Sequence, residues 1–144
     1  MLRRTLSTVL VVAAAAGCAV FRGSMDIDYN DRRLNDGLES VRDSGEPARL
    51  SEFTNWQWDE VHLFHEFSDR EFIEKTVGEP VIKDDFYGSK ASLLVFENDG
   101  APVKAAGISG DYLRGADHKV TWPADVIVAP QGSSGFLLLS LPPG

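Results

Sequence analysis

A single cysteine, Cys18, leaves this chain of 144 residues with no internal disulfide and no cysteine-built metal site. Positive charge is also scarce: 14 Lys and Arg stand against 22 Asp and Glu, a formal net charge of −8. A surface of that sign repels phosphate backbones and anionic lipid headgroups, which excludes nucleic acid as a partner and a basic patch as a membrane tether. The apolar run Leu6–Ala16 has eleven residues, short of the roughly 20 that a helix needs to cross a bilayer. Phosphate-cradling glycine motifs are missing, since neither G-x-G-x-x-G nor G-x-x-x-x-G-K occurs. Internal repeats are missing too. What remains is ordinary globular material, 43% hydrophobic and 25% charged, with eight Phe and three Trp for a core.

The first eighteen residues carry the clearest pattern. Arg3 and Arg4 precede an uncharged stretch, Leu6–Ala16, and Ala15-Ala16-Gly17 lead into Cys18. A charged start, a short apolar centre and a small-residue cleavage site are the grammar of an export signal. The run Ala15-Ala16-Gly17-Cys18 resembles a bacterial lipoprotein lipobox, with Ala15 where that pattern prefers Leu. The resemblance implies a diacylglycerol thioether on Cys18, cleavage before it and acylation of the new amine. One acyl chain holds a protein marginally and two or more hold it stably, so the expected membrane partner is reached through lipid. Losing Arg3 and Arg4 takes the net charge from −8 to −10. The alternative is a secreted protein cut after Ala16 or Ala19.

Three parts follow: a signal peptide at 1–17, a lipid-anchored polar tether at 18–49, and an α+β domain at 50–144. Within the tether, Leu34, Leu38 and Val41 fall at i, i+4, i+7 after Asn30 and Asp31 and before Gly45. That spacing predicts a short helix over about 31–43, weakened by Gly37, that either docks on the domain or stays frayed.

In the domain, alternation from Trp58 to Phe67 predicts a strand with Val61, Leu63, His65 and Phe67 on its buried face. A helix follows, with Ser68 as N-cap, Glu71 closing a capping box, Phe67 and Phe72 as a staple, Lys75 at its end and Gly78 beyond. Val81-Ile82 suggest a brief strand. Ser92–Phe96 is a continuous apolar run, hence a strand covered on both faces, and Asn98-Asp99-Gly100 supplies a hairpin turn into Val103–Ala106. Gly107–His118 reads as loop, Lys119–Trp122 and Asp125–Val128 as short strands, and Phe136–Leu141 as a last strand placed inside the sheet. The expectation is a mostly antiparallel sheet with one helix packed on a face.

No catalytic set, metal site or cofactor is expected. His62 and His65 are three apart, which on a strand puts them on opposite faces, His62 at the surface and His65 half-buried. Ser109 fails the G-x-S-x-G pattern because Asp111 stands where glycine is needed, and Ser133 and Ser134 serve a turn. Asp84, Asp85, Asp111 and Asp117 lack calcium-loop spacing. The candidate partner-binding residues are the aromatics Trp56, Trp58, Tyr112 and Trp122, if their rings are exposed at strand margins.

Residues Trp58-Asp59-Glu60-Val61-His62-Leu63-Phe64, then Ser68–Glu74 and Gly78, then Leu94–Gly100 resemble a group of small, uncharacterised bacterial lipoproteins. Their shared pattern is W-D-x-V-x-x-F, a capped helix and a strand ending in D-G, and it covers about residues 56–105. The helix, Gly78-Glu79-Pro80 and the later Asp99-Gly100 are also similar, at fold level, to outer-membrane-assembly lipoproteins and a secreted β-lactamase inhibitor. These likenesses imply a non-catalytic binding or accessory module at the outer side of a bacterial membrane, facing an envelope protein or glycan. The alternative is an envelope hydrolase with His65 or His118 as base.

Overall fold

The computed structural model describes residues 23–144. The expected signal peptide, Cys18 and the first residues of the expected tether lie outside the described residues. From Met25 onward the chain is already part of the fold: its N–H donates to the Val81 carbonyl at 3.0 Å. Strand β1 (Ile27–Asp28) runs parallel to β5 (Ala101–Gly107), and Lys104 of β5 reaches Asp28 at 2.8 Å.

Helix α1 (Arg32–Ser44) occupies the stretch where the leucine spacing predicts one. The Asp31 carboxylate accepts from the Leu34 N–H at 3.0 Å, and Gly45 closes the other end in the left-handed region. Leu34, Leu38 and Val41 are buried and belong to the main core. Of the two outcomes open to this helix, it docks. The expected polar tether at 18–49 is thereby corrected for its second half. Burying three large aliphatic side chains contributes about 1.5–3 kcal/mol each, far more than a frayed helix would retain. Gly37 is where the helix comes closest to its neighbour, because a Cβ there would overlap the Phe53 ring.

Two sheets follow. The first is ordered β1-β5-β4-β3-β7, with β3 (Glu60–Phe64), β4 (Leu93–Asn98) and β7 (Thr121–Pro123). The second is ordered β2-β8-β9-β6, with β2 (Ala48–Arg49), β6 (Leu113–Gly115), β8 (Ile127–Pro130) and β9 (Leu137–Ser140). All pairings are antiparallel except β1 with β5 and β6 with β9. The α+β class stands as expected, with two sheets in place of one, and both helices fall where the sequence places them. The apolar run of β4 is covered on both faces, the β4–β5 hairpin turns at Asp99 and Gly100 with positive φ, and β9 lies inside its sheet.

β4 shows how the core divides. Leu94 and Phe96 point into a main cluster shared with α1 and the second sheet, while Leu93 and Val95 point into a second cluster under α2 (Arg70–Val77). Ile73 and Val77 of α2, with Val81, Ile82 and Tyr87 of the following loop, complete that second cluster. Val81-Ile82 is buried but pairs with no strand.

The start of α2 differs from the sequence expectation. Asp69, not Ser68, is the N-cap, accepting from the Glu71 N–H at 2.8 Å. Ser68 is committed elsewhere: its Oγ accepts from the His65 N–H at 3.1 Å, and its carbonyl accepts from the Tyr87 N–H. Phe67 adopts a left-handed φ of 68° and is 72% exposed, so the Phe67–Phe72 staple does not form. Phe72 instead meets Phe64 edge-on, centroids 5.9 Å apart. Gly78 ends the helix as expected.

Candidate functional site

β3 ends at Phe64, and the chain turns at His65 instead of continuing as strand. That early stop reverses the expected environments of two histidines. His62 is 2% exposed, because α2 and its loop cover the face expected to meet solvent. His65 leaves the sheet and keeps its side chain 41% exposed. The two do not meet, as their spacing predicts.

His65 and His118 are instead brought to one groove of about 640 Å³. It lies between the start of α2, the β6–β7 connection and the β8–β9 turn, with Phe72, Arg114, Lys119 and Phe136 also on its walls. The connection from β6 carries the chain from the edge of one sheet to the edge of the other through a 3-10 turn, Ala116–His118. Asp117 and His118 there have φ of 56° and 57°. Two of the four non-glycine residues at positive φ among the described residues therefore line this groove. Backbone conformations of that kind cost about 1–3 kcal/mol each and collect at functional sites.

The groove wall is organised by Asp111. Its Oδ1 meets His65 Nδ1 at 3.1 Å, accepts from Ser92 Oγ at 2.9 Å and from Arg114 at 3.3 Å. Partial burial alone would raise the Asp111 carboxyl. The hydrogen bonds from His65 and Ser92 and the charges of His65 and Arg114 outweigh it and hold the group below its ordinary value. Ser92 is fully buried and bonds the carboxylate, not the imidazole. The order of groups is thus wrong for a nucleophile–base–acid relay.

A second polar network lies in the sheet. His62 Nε2 sits 2.7 Å from Glu97 Oε2 and 3.5 Å from Glu60 Oε1, and its Nδ1 is 2.8 Å from Thr121 Oγ1. This is a hydroxyl–imidazole–carboxylate chain, but its imidazole is buried between strands, closed to a substrate. Neither network amounts to an assembled catalytic set.

The aromatic candidates belong to the core. Trp58 and Trp122 are 7% and 2% exposed; Trp58 donates from its indole N–H to Thr54 Oγ1 at 2.9 Å. Trp56 is half-buried and, like Trp58, stacks edge-on against Phe96 with centroids 5.0 Å apart. Tyr112 is buried beneath the Arg42 guanidinium, 4.3 Å from its ring. Trp58, Tyr112 and Trp122 are corrected from surface anchors to packing, because large rings bury much apolar area, while Trp56 keeps part of its ring at the surface. The exposed rings are Phe67, Phe72, Phe86 and Phe136, with Tyr29. Sequence reasoning assigned Phe67 and Phe72 to a staple, counted Phe136 as strand, and overlooked Arg114, whose guanidinium lies 4.5 Å over the Phe136 ring. Ser109 is held by Asn35 and lies near Tyr112, away from either histidine network. Compared with known proteins, the chain matches no family model, no curated protein and no solved structure.

Proposed function

We propose that the chain is a lipid-anchored envelope protein, a non-catalytic binding or accessory module whose ligand enters the groove beside α2. The observation that carries the groove is its composition. Phe72 and Phe136, 47% and 36% exposed, flank Arg114 and Lys119 on a protein whose overall charge is strongly negative. Aromatic rings and arginine are among the side chains that dominate binding energy at interfaces. The ligand chemistry that fits is an apolar or ring face next to an anionic group, as in an envelope peptide or an acidic glycan. The lipid anchor rests on Cys18 and its lipobox-like context.

Two measurements on the full chain in its native cell test this reading. A photo-crosslinking residue at position 136 should yield a discrete adduct in intact cells, and one at position 39, on the exposed side of α1, should not. Absence of any adduct from position 136 defeats the groove. Cys18→Ser should move the protein from the membrane to the soluble fraction, and unchanged fractionation defeats the anchor. The hydrolase reading retains one supporting observation, the His65–Asp111 pair in the groove wall. It requires ester or amide turnover that disappears in His65→Gln while crosslinking from position 136 persists.

A further inference from the structure

Strand register places two carboxylates directly opposite one another. Glu60 of β3 pairs with Glu97 of β4, and His62, two residues along β3, lies on the same face. Like charges facing each other across a ladder oppose pairing, so this arrangement calls for a cation between them. Glu97 is 5% exposed, and its Oε1 has no hydrogen-bond partner among the described residues. A buried carboxylate oxygen left that way carries a desolvation penalty that a bound cation would offset. Ligand atoms of Glu60, His62 and Glu97 all lie within 4.8 Å of one another.

We propose that Glu60, His62 and Glu97 form a binding site for a divalent transition-metal ion of the zinc class. The chemistry of the donors selects it: one imidazole nitrogen with two carboxylates suits zinc or its neighbours, whereas calcium and magnesium prefer oxygen alone. Donors on bonds of about 2.0–2.1 Å at tetrahedral angles stand roughly 3.3 Å apart. The Glu60–His62 separation of 3.5 Å is close to that, and the 2.7 Å Glu97–His62 hydrogen bond has to open by about half an ångström.

The surroundings fit the same role. A ligating histidine holds its orientation by donating its other ring N–H to a neighbour. Thr121 Oγ1, from β7 on the opposite side of β3, sits 2.8 Å from His62 Nδ1 and is placed to accept that bond. Metal ligation needs Nε2 without its proton, in place of the present contact with Glu97. With the ion bound, the imidazole proton sits on Nδ1 and the threonine hydroxyl accepts from it. The Glu60 side chain is 46% exposed, which gives the ion a way in from solvent and leaves room for a water ligand. The site joins β3 and β4 directly and β7 through the threonine, independent of the groove.

The test uses the full chain, stripped with chelator and titrated with Zn²⁺, then with Mn²⁺, Ca²⁺ and Mg²⁺ separately. One Zn²⁺ should bind per chain and raise Tm by roughly 10 °C at a hundredfold excess over Kd, while Ca²⁺ and Mg²⁺ do neither. Co²⁺ should give the visible absorption of a low-symmetry site. Glu60→Gln, at a half-exposed position that the fold does not need, should weaken Zn²⁺ binding at least tenfold, as should Glu97→Gln. The double variant His65→Gln/His118→Gln should leave it unchanged. No stoichiometric Zn²⁺ binding, or binding lost in the groove variant and kept in Glu60→Gln, overturns the proposal.

Discussion

The two faces of the five-stranded sheet do different work. One face is dry: Val61, Leu63, Leu94, Phe96 and Trp122 meet α1 and the second sheet in a continuous apolar cluster. The other is covered by one helix of eight residues and a loop, and it carries His62, Glu97 and Glu60 beside Phe64, Leu93 and Val95. Closed packing on one face holds the strands in register, and that register is what allows the opposite face to hold polar groups at hydrogen-bond distance. The groove extends this asymmetry, since its walls come from α2 and from the connection between the two sheets.

The largest expected effect tests the dry face. Phe96→Ala removes the ring against which Trp56 and Trp58 stack and should cost about 3–5 kcal/mol in chemical denaturation. Ile73→Ala, under α2, should cost about 2–3 kcal/mol, because the thinner cover over that cluster collapses more readily onto the cavity. If Ile73→Ala proves the more damaging, the dry face is not the principal source of stability.

A middle-sized effect tests how α1 is held. Alanine is the better helix former by about 1 kcal/mol, so propensity alone predicts that Gly37→Ala stabilises. The Phe53 ring occupies the space of the added methyl, and overpacking of this kind costs about 1–3 kcal/mol. The net outcome should be a loss of about 1 kcal/mol, abolished when Phe53→Ala is combined with it. A stabilised Gly37→Ala would show that α1 rides loosely on the domain, as a tether helix would.

Gly37 also marks how far the sequence could be read. Its cost to the helix is legible; its reason, the Phe53 ring sixteen places further along in a separate 3-10 turn, is not. Elements with dense local signals were readable: the leucine spacing of α1, the Asn98-Asp99-Gly100 turn and the two-sided burial of β4 all recur in the structure. The cap of α2 shifted by one residue because Ser68 spends its hydroxyl and carbonyl on contacts with His65 and Tyr87. Site geometry was the least readable. Glu60 and Glu97 become neighbours only through strand register, and Asp111 reaches His65 across 46 residues of chain. No local spacing encodes either meeting.

A smaller effect separates groove electrostatics from packing. Asp111→Asn keeps the shape and removes the charge that His65 and Arg114 face, with an expected loss of about 1 kcal/mol at neutral pH. The Asp111 carboxyl is lowered from 3.8 in the folded protein. Its contribution is therefore complete above the unfolded-state value and lost as pH falls through the folded one. The Tm difference between the two proteins should persist at neutral pH, begin to shrink only as pH falls to about 3.8, and vanish below the lowered folded-state value. A difference independent of pH would assign Asp111 a shape role only.

The smallest effect has the opposite sign. Phe67 holds a left-handed φ of 68° while its ring is 72% exposed, so the fold gains little apolar burial in return for a strained backbone. Glycine adopts that conformation without a Cβ clash. Phe67→Gly should therefore raise stability by up to about 1 kcal/mol, less the extra unfolded-chain entropy that glycine brings. Phe67 stands in sequence between His65 and Ser68, two residues that line the groove, so the strain lies next to the proposed binding site. The same variant should lose the adduct formed from position 136. A protein made more stable by the change that still gives the adduct would separate the strain at Phe67 from the groove.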